Sequence, residues 1–188
     1  MIFKPFSNQP IKHAFFAPSK HTWLRWDKDR IVEALRNWKA AERGTILHEH
    51  AENCIRLKTK LKDDKSTLGM YVNDAIHYDM DPEVKLTYHP ELCFGHADAL
   101  SFRRKKLRIF DLKTGVVTPG SMEQLLIYAA LFCLEREIDP LSIKYDLRIY
   151  QFDQATCHEP TGEEIAEIMD IIVENVAIAE MYSGEEYM

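Results

Sequence analysis

The sequence has no run approaching the roughly 18 consecutive apolar residues that a membrane-spanning helix needs, so none is expected. It has no C-x-x-C pair. Cys54, Cys93, Cys133 and Cys157 stand apart, which argues against zinc or iron–sulfur ligation and leaves four reduced, mostly buried thiols. It has no internal repeat, low-complexity tract or linker. It also lacks an excess of positive charge. A net charge of -6 excludes a protein that coats nucleic acid by charge alone. An enzyme acting on nucleic acid remains open, because it needs only local basic strips and can gather acids around metal ions. The N-terminal stretch MIFKPFSNQPIKHAFF interrupts its only short apolar run with Lys4 and Pro5, so it does not read as a signal peptide. The expected location is the cytoplasm, and no membrane partner is expected.

The chain has 188 residues, 46% apolar and 29% charged, a balance that suits one globular domain over 1–188. Its first twenty-odd residues read as irregular and aromatic, with Phe3, Phe6, Phe15 and Phe16. Residues 27–43 have helical spacing, with Ile31, Leu35 and Trp38 on one face, and Gly44 is expected to cap that helix. Thr45 then opens a second helix to about 61. A third covers about 68–78, which makes 1–80 a helical region. The period then becomes two. Val84, Leu86 and Tyr88 mark one strand, and residues 91–101 and 107–113 mark two more. Residues 121–137 return to helix, with Leu125, Tyr128, Ala129 and Phe132 on a stripe. Ile143, Tyr145, Leu147 and Ile149 form a fourth strand. Thr161-Gly-Glu-Glu164 is a capping box that opens a last helix over about 161–182, striped by Ile165, Ile168, Ile172, Val176 and Ala179. This order predicts an α/β domain: a small mixed sheet flanked by helices, with extra helices at both ends.

The segment GHADALSFRRKKLRIFDLKTG carries the candidate chemistry. A turn centred on Arg104-Lys105 pairs residues whose numbers sum to 209. Asp98 then faces Asp111, with Cβ atoms about 4.5–5.5 Å apart, and His96 faces Lys113. Two facing carboxylates repel, and one is pushed toward its protonated form. A divalent cation such as Mg²⁺ removes that conflict. Lys113 shares the face of Asp111 and can hold a phosphate oxygen or orient a water. Carboxylates, a metal and a lysine on one surface suit phosphodiester hydrolysis. A plain surface ion triad has the same spacing. His48 and Glu52, four apart on a helix, are two further possible ligands. Gln124 and Tyr128 are four apart on the helix after the lysine strand. Two basic strips, Arg56/Lys58/Lys60/Lys62/Lys65 and Arg103/Arg104/Lys105/Lys106/Arg108, read as nucleic-acid contacts or as solvated faces.

Four segments together carry a resemblance: Gly44-Thr-Ile-Leu-His48-Glu-His-Ala-Glu52, Gly95-His-Ala-Asp98, Asp111-Leu-Lys113-Thr-Gly115 and Gln124-Leu-Leu-Ile-Tyr128. In type and order they resemble the PD-(D/E)-x-K nuclease superfamily, nearest its RecB-type, Cas4-like exonucleases of phage and mobile elements. The resemblance spans residues 44–128 and is backed by Ser19-Lys-His-Thr-Trp23-Leu-Arg-Trp26, which is similar to a segment preceding the histidine motif. It implies a restriction-endonuclease-like αβββαβ core over about 44–152. It implies a Mg²⁺- or Mn²⁺-dependent deoxyribonuclease working in DNA recombination or repair. In that reading His48, Asp98, Asp111, the Leu112 carbonyl and Glu52 serve the metal. Lys113 handles the attacking water, and Gln124 and Tyr128 orient phosphates or support Lys113. Arg103, Arg104, Lys105, Lys58 and Lys60 contact DNA. By analogy the partners are DNA and a recombinase or single-strand annealing protein, and a homo-oligomer is compatible with the sequence. Two departures stand out: no late cysteine cluster, hence no expected iron–sulfur centre, and Ala97 where the family name has proline. The alternatives are a structure-specific endonuclease on the same fold, a non-catalytic DNA-binding module, or an unrelated α/β protein.

Overall fold

A computed structural model describes residues 15–115 and 121–183. The chain divides at Arg43/Gly44 into two compact units.

The described part of the first unit begins with an aromatic cluster. Phe15 packs edge-on against Phe16 and Trp26 and tilts against Trp38, while Phe16 meets Trp23. Trp23 Nε1 donates to the Ala17 carbonyl at 3.0 Å, which pins the 3₁₀ segment Pro18–Arg25. Phe3 and Phe6 lie outside the described residues. The helix that follows, α1, runs Lys28–Arg56 without a break. The expected stop at Gly44 is therefore wrong. A glycine C-cap needs left-handed φ, and Gly44 has none. Its value lies in space: a Cβ there would come within 2.9 Å of Thr114 Oγ1.

In the second unit, Ser66 accepts the Gly69 N–H at 3.1 Å and starts α2, Thr67–His77. The strands are β1 (Asp81–His89), β2 (Cys93–Arg103), β3 (Lys106–Leu112), β4 (Lys144–Gln151) and β5 (Gln154–His158). Helix α3 covers Met122–Arg136 and α4 covers Gly162–Ser183. The five strands form one mixed sheet in the order β1-β2-β3-β4-β5, with β3 and β4 parallel and the other neighbours antiparallel. It is an α/β fold with a mixed sheet flanked by helices. Four strands were expected, so β5 is an addition. Its side chains are exposed on almost every position, so it carries no apolar alternation to read. The capping box at Thr161 forms by half. Thr161 Oγ1 accepts the Glu164 N–H at 3.2 Å, while Glu164 Oε1 meets His158 Nε2 at 3.1 Å.

Each face of the sheet covers its own core. Leu107, Ile109, Leu147 and Ile149 pack with Leu125, Ala129 and Phe132 of α3 and with Ile165, Ile172 and Val176 of α4. On the other face, Phe110, Leu112 and Tyr150 pack with Tyr71, Val72 and Ala75 of α2 and with Ala51, Cys54 and Ile55 at the end of α1. A polar knot fastens α2 to the sheet. Arg148 binds Asp146 with two donors, at 2.8 and 3.0 Å, and reaches Asp74 at 3.2 Å, and Tyr150 donates to Asp74 at 2.6 Å. Removing one partner of such a buried charge group costs about 3–5 kcal/mol. Among the described residues, no helix is long and apolar enough to cross a membrane.

Candidate metal centre and its lysine

The β2–β3 hairpin has the expected register. Its pairs run from Arg103↔Lys106 to Ala99↔Phe110, all summing to 209. The turn residues Arg104 and Lys105 both have left-handed φ, 51° and 58°, the hand a two-residue turn requires even though neither is Gly or Asn. The ladder ends one pair short of the acids. The expected strand pairs Asp98/Asp111 and His96/Lys113 do not form, and His96 is paired only across the other edge of β2, with Lys85 of β1. Asp98 bonds to β3 through its side chain: the Leu112 N–H donates to Asp98 Oδ2 at 2.8 Å.

The cause is a slip in side-chain alternation. Ala97 packs in the α3 core and Ala99 in the α2 core, although residues two apart in a regular strand share a face. Across from this step, Pro82↔Ala99 and Val84↔Ala97 bracket Glu83, which therefore stands opposite Asp98. Glu83 has φ 53°, left-handed inside a strand. The two strands step together and the count of paired residues is unchanged. The step brings together His48 of α1, Glu83 of β1 and Asp98 of β2, with ligand atoms all within 4.8 Å of one another. His48 Nδ1 lies 3.6 Å from Asp98 Oδ2.

Asp111 sits at the end of β3, only 3% exposed. Its Oδ1 accepts from Lys113 Nζ at 3.0 Å, while Oδ2 is buried without a protein partner. Lys113 Nζ also donates to Gln124 Oε1 at 3.0 Å, and Gln124 Nε2 donates to Tyr128 OH at 3.1 Å. Helix α3 supplies both residues one turn apart. The tyrosine ring lies over Gly95, where a Cβ would come within 2.7 Å of Tyr128 Cε1. Glycine is thus the residue that lets the ring descend onto β2.

The electrostatics are those of crowded acids. Burial, and then the charge of Asp111, push the Asp98 carboxyl up to about 6, against the opposing pull of the Leu112 N–H, His48 and Lys113. Repulsion between facing acids was expected to do this, but desolvation is the larger cause. Tyr71 of α2 feels the same cluster. Burial first, then Asp98, Asp111 and Glu83, hold its hydroxyl well above the ordinary phenol range.

The other site candidates, Leu112 excepted, lie apart from this cluster. Glu52 turns to Arg56, whose Nε and Nη2 both reach its Oε1 at 2.9 Å. Leu112 contributes its N–H to Asp98. Lys58 and Arg103 both pair with Asp79. Arg104 and Lys105 occupy the hairpin tip, and Lys60 is exposed. That tip is at the opposite end of β3 from Asp111, about 17 Å away over five residues of strand. The basic tip lines a cleft with Tyr78, Arg108 and Lys144, whereas Lys113 lines a separate hollow. Sequence reasoning missed Glu83 and Tyr71. Only the β1–β2 register brings Glu83 in: from Asp81↔Leu100 to Thr87↔Phe94 the pairs sum to 181, and 83 is the complement of Asp98.

A divalent cation fits this donor set. The Asp111 Oδ2 is buried without a protein partner, the neighbouring Asp98 carboxyl is raised by burial and then by the Asp111 charge, and an imidazole and a third carboxylate converge on Asp98. Comparison with family profiles, curated proteins and solved structures finds no match.

Proposed function

We propose that this chain is a divalent-metal-dependent nuclease of the PD-(D/E)-x-K type that hydrolyses phosphodiester bonds in DNA. The observation that carries the reading is the convergence of Asp98, Asp111 and Lys113 at the end of one hairpin, with one Asp111 oxygen buried and unpaired. The element order around it is compatible with a restriction-endonuclease-like core, and the motif order favours a RecB-type exonuclease.

Asp98 and Asp111 would hold Mg²⁺ or Mn²⁺, with His48 and Glu83 completing the set. Bound there, the cation supplies electrophilic stabilisation of the charge that develops on the phosphoryl oxygens. The remaining work belongs to the chain. Lys113 has three N–H donors and uses two, on Asp111 and Gln124, so the third is free for a phosphate oxygen or for a water to be oriented. Gln124 accepts from Lys113 with its oxygen and donates to Tyr128 with its nitrogen, which fixes the direction of the chain and leaves the tyrosine proton for a phosphate oxygen. The Leu112 N–H restrains Asp98 against the repulsion of its neighbour. The cations at the hairpin tip would meet a more distant part of the DNA backbone.

The test uses linear duplex DNA labelled separately at the 5′ and 3′ ends, with Mg²⁺, Mn²⁺ or EDTA. Wild type should release label with metal only, and Asp111→Ala and Lys113→Ala should not. Intact DNA with wild type and either metal, or activity retained in Asp111→Ala, would refute the assignment. The labels also give the polarity.

A further inference from the structure

The turn from β4 to β5 consists of Phe152 and Asp153, both with left-handed φ, 55° and 53°. Turns of this hand favour Asn and Gly, and a bulky aromatic there is strained. Asp153 is compensated by a clamp. Its Oδ1 accepts from the Thr67 N–H at 2.8 Å and from Thr67 Oγ1 at 3.0 Å, and its own N–H donates to Thr67 Oγ1 at 2.8 Å. Phe152 gains little in return, since it is 52% exposed. The ring is therefore held out by a rigid turn at a position where folding alone would favour a small residue.

Its neighbours are those of the candidate site. Asp111 pairs with Ile149 and Leu112 with Tyr150 across parallel β3 and β4. Phe152 follows directly on the end of β4, as Lys113 and Thr114 follow on the end of β3 beside it. Phe152, Lys113, Thr114 and Gly115 line one hollow. Gln151 Nε2 donates to the Gly115 carbonyl at 2.7 Å, which ties its walls together.

An exposed ring on a hollow that the lysine's own segment also lines offers a flat face to a base within the same strand end that carries the phosphate-binding lysine. We propose that Phe152 is a stacking platform for an unpaired base beside the phosphate to be cut, so that the protein engages single-stranded ends or flaps in preference to fully paired duplex. The proposal rests on the nuclease reading above. Phe152 is a positioning residue within it and takes no part in proton transfer.

Anisotropy of a short fluorescent oligothymidylate, of a strand of abasic units of the same length and of a blunt duplex of that length tests this in Ca²⁺ with wild type, Phe152→Asn and Phe152→Trp. Aromatic stacking on a base is worth roughly 5- to 150-fold in affinity. Phe152→Asn should weaken oligothymidylate binding by about ten-fold, Phe152→Trp should keep it, and the abasic strand should not distinguish the three. Asparagine suits the left-handed turn, so the Phe152→Asn melting point should hold or rise by about 2–4 °C. Equal affinities for oligothymidylate in all three proteins would overturn the stacking role while leaving the nuclease reading intact. So would a lower melting point accompanied by equal losses on both strands, which would make the ring structural. Failure of wild type to bind either strand or duplex would overturn the nuclease reading, and this proposal with it.

Discussion

Asp98 accepts the Leu112 N–H at 2.8 Å, so the first acid of the pair is held by the strand that carries the second. The bond does two things. It occupies an amide that the hairpin ladder no longer pairs, and it keeps Asp98 against Asp111 despite their repulsion.

Replacing Asp98 with asparagine keeps an oxygen for Leu112 and removes the repulsion. The metal-free variant should melt at the same temperature as wild type or higher. Its nuclease activity should fall by at least about 100-fold, the scale of losing one preorganised electrostatic group. Thermal scans in EDTA and end-label release in Mg²⁺ check the two halves.

Glu83 and Glu52 make opposite claims on the metal. Glu83 faces Asp98 and His48, whereas Glu52 is committed to Arg56. Calorimetric Mn²⁺ titration should show Glu83→Gln weakening binding by about ten-fold or more, with Glu52→Gln within about two-fold of wild type. The reverse ranking would move the metal to the helix.

Lys113 and Gln124 should separate in rate without separating in metal affinity. Lys113→Met should lower kcat by about 10²- to 10⁴-fold, the range for a positioned proton-handling group. Gln124→Leu leaves the amine paired to Asp111 and should cost about ten-fold, within the smaller effects of a supporting contact. Single-turnover cleavage at saturating metal measures both.

Stability in EDTA should depend on pH through Asp98. Its folded carboxyl is raised from 3.8 to about 6, so the folded protein binds more protons than the unfolded chain between those values. The stabilisation is therefore complete below about pH 4 and is lost as the pH rises through about 6. Denaturant midpoints across pH 4–7 should carry this falling contribution, and Asp98→Asn should remove it. Other acids add slopes of their own, so the difference between wild type and variant is the quantity to read.

Gly95 tests the link from strand to lysine. An added methyl would press on Tyr128 at 2.7 Å, and relieving it moves the ring that anchors Gln124. Gly95→Ala should cost about 1–3 kcal/mol of stability, as overpacking does. It should also lower cleavage while sparing Mn²⁺ affinity.

The hairpin register was legible as far as Ala99↔Phe110 because one turn position fixes successive pairs through a constant sum. The stripes of α3 and α4 were legible because apolar residues at helical spacing have one buried face to fill. Three features were not. Gly44 carries the signal of a helix stop, yet its missing side chain answers to Thr114, which is distant in sequence. β5 is nearly bare of buried residues. The approach of Glu83 to Asp98 depends on a left-handed residue inside a strand, which no propensity for glutamate announces. His48, Asp98, Asp111, Lys113, Gln124 and Tyr128 were nameable because their order is a pattern. Glu83 belongs to none of the four segments and needed the fold to bring it in.

The paired step at Glu83 and Asp98 makes the two strands interdependent in length. Val84 and Leu86 reach the α3 core only because β1 changes face at the same level as β2. Loss of one residue near Glu83 alone would rotate that whole half-strand toward the wrong layer, whereas loss of one residue from each strand at the step would return both to plain alternation. Insertions and deletions at this point should therefore be tolerated in twos, and a shortened pair would keep its cores while giving up the place where His48, Glu83 and Asp98 meet.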